Sequence, residues 1–360
     1  MFRKVCAIAL VFIMIFMMLT TGCTQKESED QIKVGFVYVG PAEDKGWSYA
    51  HDQGRLYLEE KLDVTTIYQE SVKEEDAAVE ASIRNMIDQG CSIIFTTSFG
   101  FMSATKKMAL EFPDVKFLHC SGYEMADNMS NYFGRMYQPR YLSGIVAGMK
   151  TESNKVGYVA AYDIPEVIRG INAFTLGVLS VNPEAEVFVR WTNTWYDPAK
   201  EKDAALSLLD EGCDVIAQHQ DTPGPQIAAQ ERGKWAIGYH IDSRESAPEA
   251  FLTAPVWDFG PYYVEQVQNV MNGTWKAESY WGGMETGLVG LAEMKDNVPA
   301  EAKAKVDEVT QQIIDGKFDV FTGPIYDQDG NLKVKEGERM TDQEMLEFLW
   351  FVKGVVGKIG

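Results

Sequence analysis

Aromatic and acidic side chains recur in this 360-residue sequence directly after short apolar runs that are typical of buried strands. The aromatic members of this set are Trp47, Tyr49, Phe99, Phe101, Tyr137, Trp195, Tyr196 and Trp257. Aromatic faces can stack on a planar ring, and each stacked base contributes on the order of 1–3 kcal/mol. Asp221 and Asp242, which also follow apolar runs, can accept hydrogen bonds from the edge of such a ring. Together these side chains predict a site for a flat, hydrogen-bonding small molecule.

The apolar runs alternate along the chain with amphipathic stretches. The predicted strands are 33–39, 64–68, 92–97, 115–119, 155–160, 186–191, 214–218 and 235–240. The intervening stretches, such as Glu74–Asp88 and Pro198–Leu209, carry apolar residues at helical spacing. Strands and helices that alternate in this way predict an α/β fold with parallel sheets covered on both faces.

Two segments of the chain resemble each other, Met86–Phe95 and Leu208–Ala217. Each segment ends a predicted helix, passes through a Gly-Cys pair and enters an apolar strand, with Gly90 and Gly212 as left-handed helix ends. The repeat predicts two similar doubly wound lobes. Ligands of open parallel sheets bind beyond the carboxyl ends of the strands, so two such lobes facing each other create a binding cleft.

The N-terminus has the features of a signal peptide. Arg3 and Lys4 precede the apolar run Val5–Leu19, which is too short for the roughly 20 residues of a membrane-spanning helix. Small residues then lead to Cys23, as in a bacterial lipobox, although Leu19 stands four residues before the cysteine instead of three. We therefore predict a signal peptide, residues 1–22, and a lipid anchor at Cys23. An ordinary signal peptide cleaved nearby is the alternative.

A polar tether, residues 23–31, leads into roughly 330 further residues, which is enough for two domains. The predicted domains are an N-terminal lobe of 32–138 and 255–276, a C-terminal lobe of 139–254 and 277–325, and a C-terminal extension, 326–360, with an amphipathic helix. Three connections, near 134–140, 254–257 and 273–280, are expected to form a hinge between the lobes. The formal net charge is −20, which opposes binding to nucleic acid or to anionic lipid.

Several ordered motifs resemble the basic-membrane-protein (Bmp, PnrA-like) family of solute-binding lipoproteins, from about Ile32 to about Thr322. The motifs are Lys33–Pro41 leading to Asp44–Arg55, then Thr96–Met102, Tyr141–Gly144, Trp195–Pro198 and Gln218–Pro223. The resemblance implies a type I periplasmic-binding-protein fold, in which a three-strand hinge joins the lobes. It also implies an extracytoplasmic location on the membrane and an ABC permease as partner. Purine nucleosides or nucleobases are the best-known ligands of the family.

The resemblance also assigns roles to particular residues. Trp47 follows Asp44-Lys45-Gly46 and occupies the position at which nucleoside-binding members stack an aromatic ring on the base. Asp242 corresponds to the acidic residue that those members use on the sugar. Two positions depart from the family pattern: Trp257 follows the Leu-Thr strand where relatives have a ribose-holding lysine, and Ser103 stands where relatives often carry a carboxylate or amide. These departures favour a free nucleobase or another small heteroaromatic ligand, and a nucleoside remains the alternative.

The predicted ligand-binding residues are Trp47, Ser48, Tyr49, Phe99, Tyr137, Trp195, Asp221, Asp242 and Trp257. Structural alternatives exist for some of them. Trp47 can pack in the hinge, Trp195 can belong to a lobe core, and Asp221 can begin a turn. Asp242, with Glu245 three residues later, can form a helix capping box.

Motifs of catalytic or metal sites do not occur in the sequence. It contains no G-x-S-x-G, no phosphate-binding P-loop motif and no H-E-x-x-H. Cys91, Cys120 and Cys213 lack the spacing of metal ligands and are expected to be buried thiols. We therefore predict a protein that is not an enzyme and has no cofactor or metal. A nucleoside hydrolase and a ligand sensor that docks a partner protein through the amphipathic segment 340–351 are the alternatives.

Overall fold

Strands and helices alternate in the computed structural model, which describes residues 31–359. The first sheet comprises β1 (Lys33–Val37), β2 (Thr65–Gln69), β3 (Cys91–Thr96), β4 (Lys116–Cys120), β5 (Met129–Gly134) and β12 (Ser279–Gly282). All are parallel, in the order β12-β5-β4-β3-β1-β2. The helices of this first lobe are α1 (Trp47–Lys61), α2 (Asp76–Asp88), α3 (Met102–Glu111) and α8 (Gly260–Met271). Apolar side chains of β1 and β3 are buried on both faces of the sheet, as the continuous apolar runs predict.

The second sheet has the same size and the same parallel arrangement. It comprises β6 (Lys155–Ala160), β7 (Glu186–Trp191), β8 (Val215–His219), β9 (Trp235–Ile237), β10 (Phe251–Thr253) and β16 (Val355–Val356), in the order β10-β9-β8-β6-β7-β16. Its helices are α4 (Tyr137–Lys150), α5 (Pro165–Val181), α6 (Pro198–Asp210), α7 (Gly224–Glu231) and α9 (Ala300–Ile314). Two parallel six-stranded sheets covered by helices confirm the predicted fold class.

Three crossovers join the lobes: 134–137, 253–260 and 282–289. The second and third pair with each other, since β11 (Pro255–Trp257) is antiparallel to β13 (Val289–Leu291). The third crossover lies later than the expected 273–280, because β12 still pairs with β5 in the first sheet. Residues 279–282 therefore lie in the first lobe and not in the C-terminal lobe assigned to 277–325. The other domain limits stay predictions.

Gly134 allows the first crossover to pack closely against the other two. A Cβ at Gly134 would lie 2.4 Å from side-chain carbons of both Trp257 and Val289. Only a residue without a side chain permits this approach. The three crossovers consequently pack on one another behind the cleft.

The C-terminal segment completes the second lobe. It contains the hairpin of β14 (Ile325–Tyr326) and β15 (Leu332–Val334), then α10 (Asp342–Leu346), and it supplies the edge strand β16. The helix is shorter than the predicted 340–351. Met345, Phe348 and Phe351 are buried in the core of the second lobe, so these side chains pack on this chain and do not form a surface for a partner.

Helices that could cross a membrane are absent from residues 31–359, in which none is both long and apolar enough. The predicted signal peptide and Cys23 lie outside these described residues.

Candidate functional site

The loop between β1 and α1 is held by a single buried carboxylate. Asp44 accepts hydrogen bonds from the backbone N–H groups of Gly46 (2.7 Å), Ser48 (2.9 Å) and Tyr49 (3.0 Å). These groups lie at the start of α1, where helix N–H groups otherwise lack partners. Burial raises the pKa of Asp44 to about 6, although the three bonds act in the opposite direction. The carboxylate thereby positions Trp47 at the first residue of the helix.

Trp47 is fixed on several sides and is only 8% exposed. Its indole Nε1–H donates to the carbonyl oxygen of Thr97 at 2.6 Å. The rings of His51, Trp257 and Phe259 meet it nearly at right angles, at centroid distances of 4.3, 5.5 and 5.7 Å. Part of the remaining indole surface borders a cavity between the lobes, so a rigid aromatic wall faces this cavity.

Asp221, in the loop between β8 and α7, faces the same cavity from the second lobe. Its Oδ1 lies 3.2 Å from Nε2 of His240, and the Nδ1 atom of that histidine accepts a hydrogen bond from the indole N–H of Trp257 at 3.1 Å. Oδ2 of Asp221 is buried and has no hydrogen-bond partner among the residues described. Burial raises the pKa of Asp221 well above the usual carboxyl range. This oxygen is an acceptor that a bound ligand can satisfy.

A second carboxylate, Glu166, lies in the first turn of α5. Its Oε1 is 3.6 Å from Nε2 of His219. Burial lowers the pKa of His219 to about 4, so the imidazole is neutral at physiological pH. The cavity therefore contains two carboxylates, each facing a neutral histidine.

The cavity is lined by residues of both lobes. They are Val39, Trp47, Ser98, Phe99, Ser121, Glu166, Trp195, His219, Asp221 and His240. A few polar groups among aromatic walls are typical of small-molecule sites. Among the described residues, three aromatic rings, two carboxylates and no lysine or arginine line the cavity. This lining suits a flat ligand that donates hydrogen bonds.

Four of the nine predicted ligand residues line this cavity: Trp47, Phe99, Trp195 and Asp221. Tyr49, Asp242 and Trp257 line a different groove. Asp242 forms an ion pair with Arg244 at 2.6 Å, and Trp257 contacts the cavity only through Trp47 and His240.

The remaining two predicted residues also lie away from this cavity. Ser48 is buried, and its hydroxyl oxygen accepts a hydrogen bond from the N–H of Gly40 at 3.1 Å. Tyr137 borders a separate cavity, beside Arg140 and Arg169.

Sequence reasoning missed Glu166 and did not choose His219 or His240 as ligand residues. Both histidines follow strands, so the strand-end rule places them near a cleft, but a buried structural histidine has the same sequence pattern. Glu166 gives still less signal, because an acidic residue after proline in the first turn of a helix is an ordinary helix-start pattern. No three His, Cys, Asp or Glu side chains in residues 31–359 are grouped as metal ligands.

The lobes touch at the mouth of the cavity. A Cβ at Gly46, in the first lobe, would lie 2.0 Å from the carbonyl oxygen of Asp221 in the second lobe. Gly46 thus allows the two backbones to meet directly beside the aromatic wall and the carboxylate.

Comparison with known proteins places the chain among transport proteins. Residues 31–321 match the family described as ABC transporter substrate-binding protein PnrA-like (Bmp). The chain is 44% identical to a purine-binding protein of Brucella abortus over 334 residues, which cover 92% of this chain and 95% of that protein. It is 40% identical to a putative ABC transporter glucose-binding protein of Haloferax volcanii, over 94% of this chain and 84% of that protein.

Solved structures agree on the fold. A solute-binding protein of an ABC transporter system from Aeropyrum pernix superposes with a TM-score of 0.71 at 20% identity, covering 80% of this chain and 92% of that chain. A transcriptional activator of the comK gene from Bacillus halodurans superposes with a TM-score of 0.67 at 26% identity, covering 78% and 97%. The same two-lobed architecture is therefore found in proteins named for transport and for regulation.

Proposed function

Since the chain belongs to the Bmp family of PnrA-like ABC transporter substrate-binding proteins, we propose that it binds a purine nucleobase between its lobes and delivers it to an ABC permease. Proteins of this family bind solutes outside the cytoplasm and are not enzymes. The observation that carries the ligand class is the pairing of the Trp47 wall with the unpartnered Oδ2 atom of Asp221. The purine-binding relative from Brucella supports the same class.

The residues around the cavity support a free base over a nucleoside as the ligand. Trp257, which stands in place of the ribose-holding lysine, packs in the hinge on Phe133 and Phe259 at centroid distances of 5.1 Å. In the part of the chain that the structure describes, no cationic side chain lines the cavity to hold a sugar hydroxyl. We therefore propose a free base as the ligand, and a nucleoside is the alternative.

A hexose is the second candidate, favoured by the name of the Haloferax relative. Sugars need both donors and acceptors around the whole ring. Within residues 31–359, the side chains lining this cavity include three aromatic rings and neither amide nor cation. The cavity therefore supports a purine more strongly than a sugar.

Calorimetry with adenine, guanine, hypoxanthine, their nucleosides and glucose tests the proposal. We expect free bases to bind and Trp47→Leu to weaken their binding roughly 5- to 150-fold, the equivalent of about 1–3 kcal/mol of stacking. Leucine is preferable to alanine, because truncating a buried tryptophan to alanine costs about 3–5 kcal/mol of stability. Trp275→Leu, at a tryptophan that does not line the cavity, is the matched control.

Each outcome of the ligand panel has a defined meaning. Tight binding of nucleosides without free bases would overturn the preference for a base. Binding of glucose alone would replace the ligand class and leave the transport role intact. Mass spectrometry of small molecules released from the denatured protein provides an independent identification.

Membrane attachment through a lipid on Cys23 is the second part of the proposal. It rests on the sequence pattern alone, since Cys23 lies outside residues 31–359. We expect Cys23→Ser to abolish lipidation and to release the protein from the membrane fraction, because the lipid would be attached to the thiol of this cysteine. Unchanged membrane retention of Cys23→Ser in cell fractionation would contradict the anchor.

A further inference from the structure

Two histidines face the two carboxylates of the cavity. The indole N–H of Trp257 can only donate, so Nδ1 of His240 must be the acceptor in their 3.1 Å hydrogen bond. The proton of this imidazole then lies on Nε2, which faces Oδ1 of Asp221 at 3.2 Å. One carboxylate oxygen is thus occupied, and the other is left as an acceptor for a ligand.

The surroundings of His219 favour the same tautomer. A Cβ at Gly170 would lie 3.5 Å from Nδ1 of His219 and 3.7 Å from Nε of Arg140, so the two nitrogens border one small space. The cationic guanidinium, which is fully buried, favours an unprotonated Nδ1 on the histidine. The proton then lies on Nε2, directed at Oε1 of Glu166 at 3.6 Å.

The cavity consequently offers acceptors at two places. Oδ2 of Asp221 has no partner in the described part of the chain, and the Glu166 side chain is 17% exposed at the cavity wall. Among the described residues, no lysine or arginine lines the cavity, and the hydroxyl of Ser98 already donates to Glu74. The hydroxyl of Ser121 is therefore left as a neutral side-chain donor at the cavity wall. A carbonyl oxygen placed against either carboxylate in its ionised form would meet a like charge and leave a buried acceptor unsatisfied.

We propose that Glu166 and Asp221 act as paired acceptors that select amino-substituted purines over the corresponding oxopurines. This inference rests on the purine-binding function proposed above. Adenine and hypoxanthine differ at position 6, and guanine and xanthine differ at position 2, by an amino group in place of a carbonyl. At the substituted position the amino purine donates where the oxopurine can only accept, while the adjacent ring nitrogen changes from an acceptor to an N–H donor. The inference concerns the substituted position, which the carboxylate faces. Sites built on such a hydrogen bond reject the wrong partner strongly.

Calorimetry or competition binding with these two matched pairs tests the inference. In the wild-type protein we expect each amino purine to bind at least about 10-fold more tightly than its oxo partner. Glu166→Gln supplies an N–H group that can donate to a carbonyl, so the ratio of the two dissociation constants should shrink for at least one pair. A structural effect alone would weaken both members equally. Glu301→Gln, at an exposed acidic residue in the first turn of α9, is the matched control.

The possible results separate this inference from the proposed function. Equal binding of amino and oxo purines by the wild-type protein would overturn the selection and leave purine binding intact. Selection that persists unchanged in Glu166→Gln would overturn the role of Glu166. Failure of every purine to bind would overturn the proposed function and this inference with it.

Discussion

Asp221→Asn is expected to weaken binding of an amino purine roughly 30-fold or more, the loss typical when one partner of a buried charged hydrogen bond is removed. The direction follows from the hydrogen bonds of the carboxylate. His240 donates to Oδ1, so an asparagine keeps its oxygen toward the histidine and turns its amide N–H groups toward the ligand. A donor then faces a donor, while the bond to His240 keeps the loop in place.

Acid pH should imitate this substitution in the wild-type protein. The pKa of Asp221 is raised, mainly by burial and further by four neighbouring carboxylates: Asp44, Glu201, Glu74 and Glu166. His240, the other titratable group in contact, is buried and its pKa is lowered, so it stays neutral. The ligand N–H binds the ionised carboxylate, so affinity falls as the pH falls through the raised pKa. The change approaches tenfold per pH unit.

Calorimetry across a pH series, in buffers of different ionisation enthalpy, measures this effect as proton release on binding. The Asp221→Asn variant provides the comparison, because it retains Asp44, whose pKa is about 6, and Glu201, whose pKa is about 7. Any pH dependence that remains in the variant belongs to groups other than Asp221, these two carboxylates among them. Identical pH profiles for the wild type and the variant would contradict the role of Asp221.

The lobes could be predicted from the sequence because their signals are local. In both halves a helix ends at a left-handed glycine, Gly90 with φ of 92° and Gly212 with φ of 93°, and a buried cysteine follows. Turn geometry and apolar runs depend on neighbouring residues, so they can be read without tertiary information. The position of β12 could not, since pairing with β5 joins residues more than a hundred positions apart.

Site residues could be predicted from the sequence only where they lie close to the carboxyl end of a strand, because those strand ends face the cleft. Asp221 comes two residues after the end of its strand and reaches the cavity. Asp242 comes several residues after β9, beyond His240, which has a φ of 70°. After this left-handed turn Asp242 faces another groove and pairs with Arg244. Trp257 packs against Trp47 from the hinge. This role depends on which crossovers pack together, so no local sequence pattern predicts it.

Gly46→Ala is expected to prevent the lobes from closing and to lower affinity on the order of 100-fold or more, because a ligand held by one lobe loses the stacking or hydrogen-bonding contacts of the other. The Cβ would lie 2.0 Å from the carbonyl oxygen of Asp221, and 2.6 Å from its carbonyl carbon. These are backbone atoms, which cannot rotate away as a flexible side chain can. Opening the lobes removes the clash, so the ligand-free variant should fold and unfold like the wild type.

Small-angle scattering separates this effect from a local change in the binding site. The wild-type protein should become more compact on saturation with the purine that binds most tightly, whereas Gly46→Ala should keep its ligand-free dimensions. Its thermal stability should also gain little from the ligand, since the gain depends on affinity.

Gly290→Ala is the matched control, because a Cβ there would meet only Val256, at an ordinary contact distance of 3.9 Å. Gly290 lies in β13, which belongs to the hinge. Normal closure of this control would therefore show that the clash at Gly46 prevents the lobes from meeting. An added methyl group near the hinge would not be sufficient to do so. Compaction and wild-type affinity in Gly46→Ala would show that the lobes close on the ligand by another geometry.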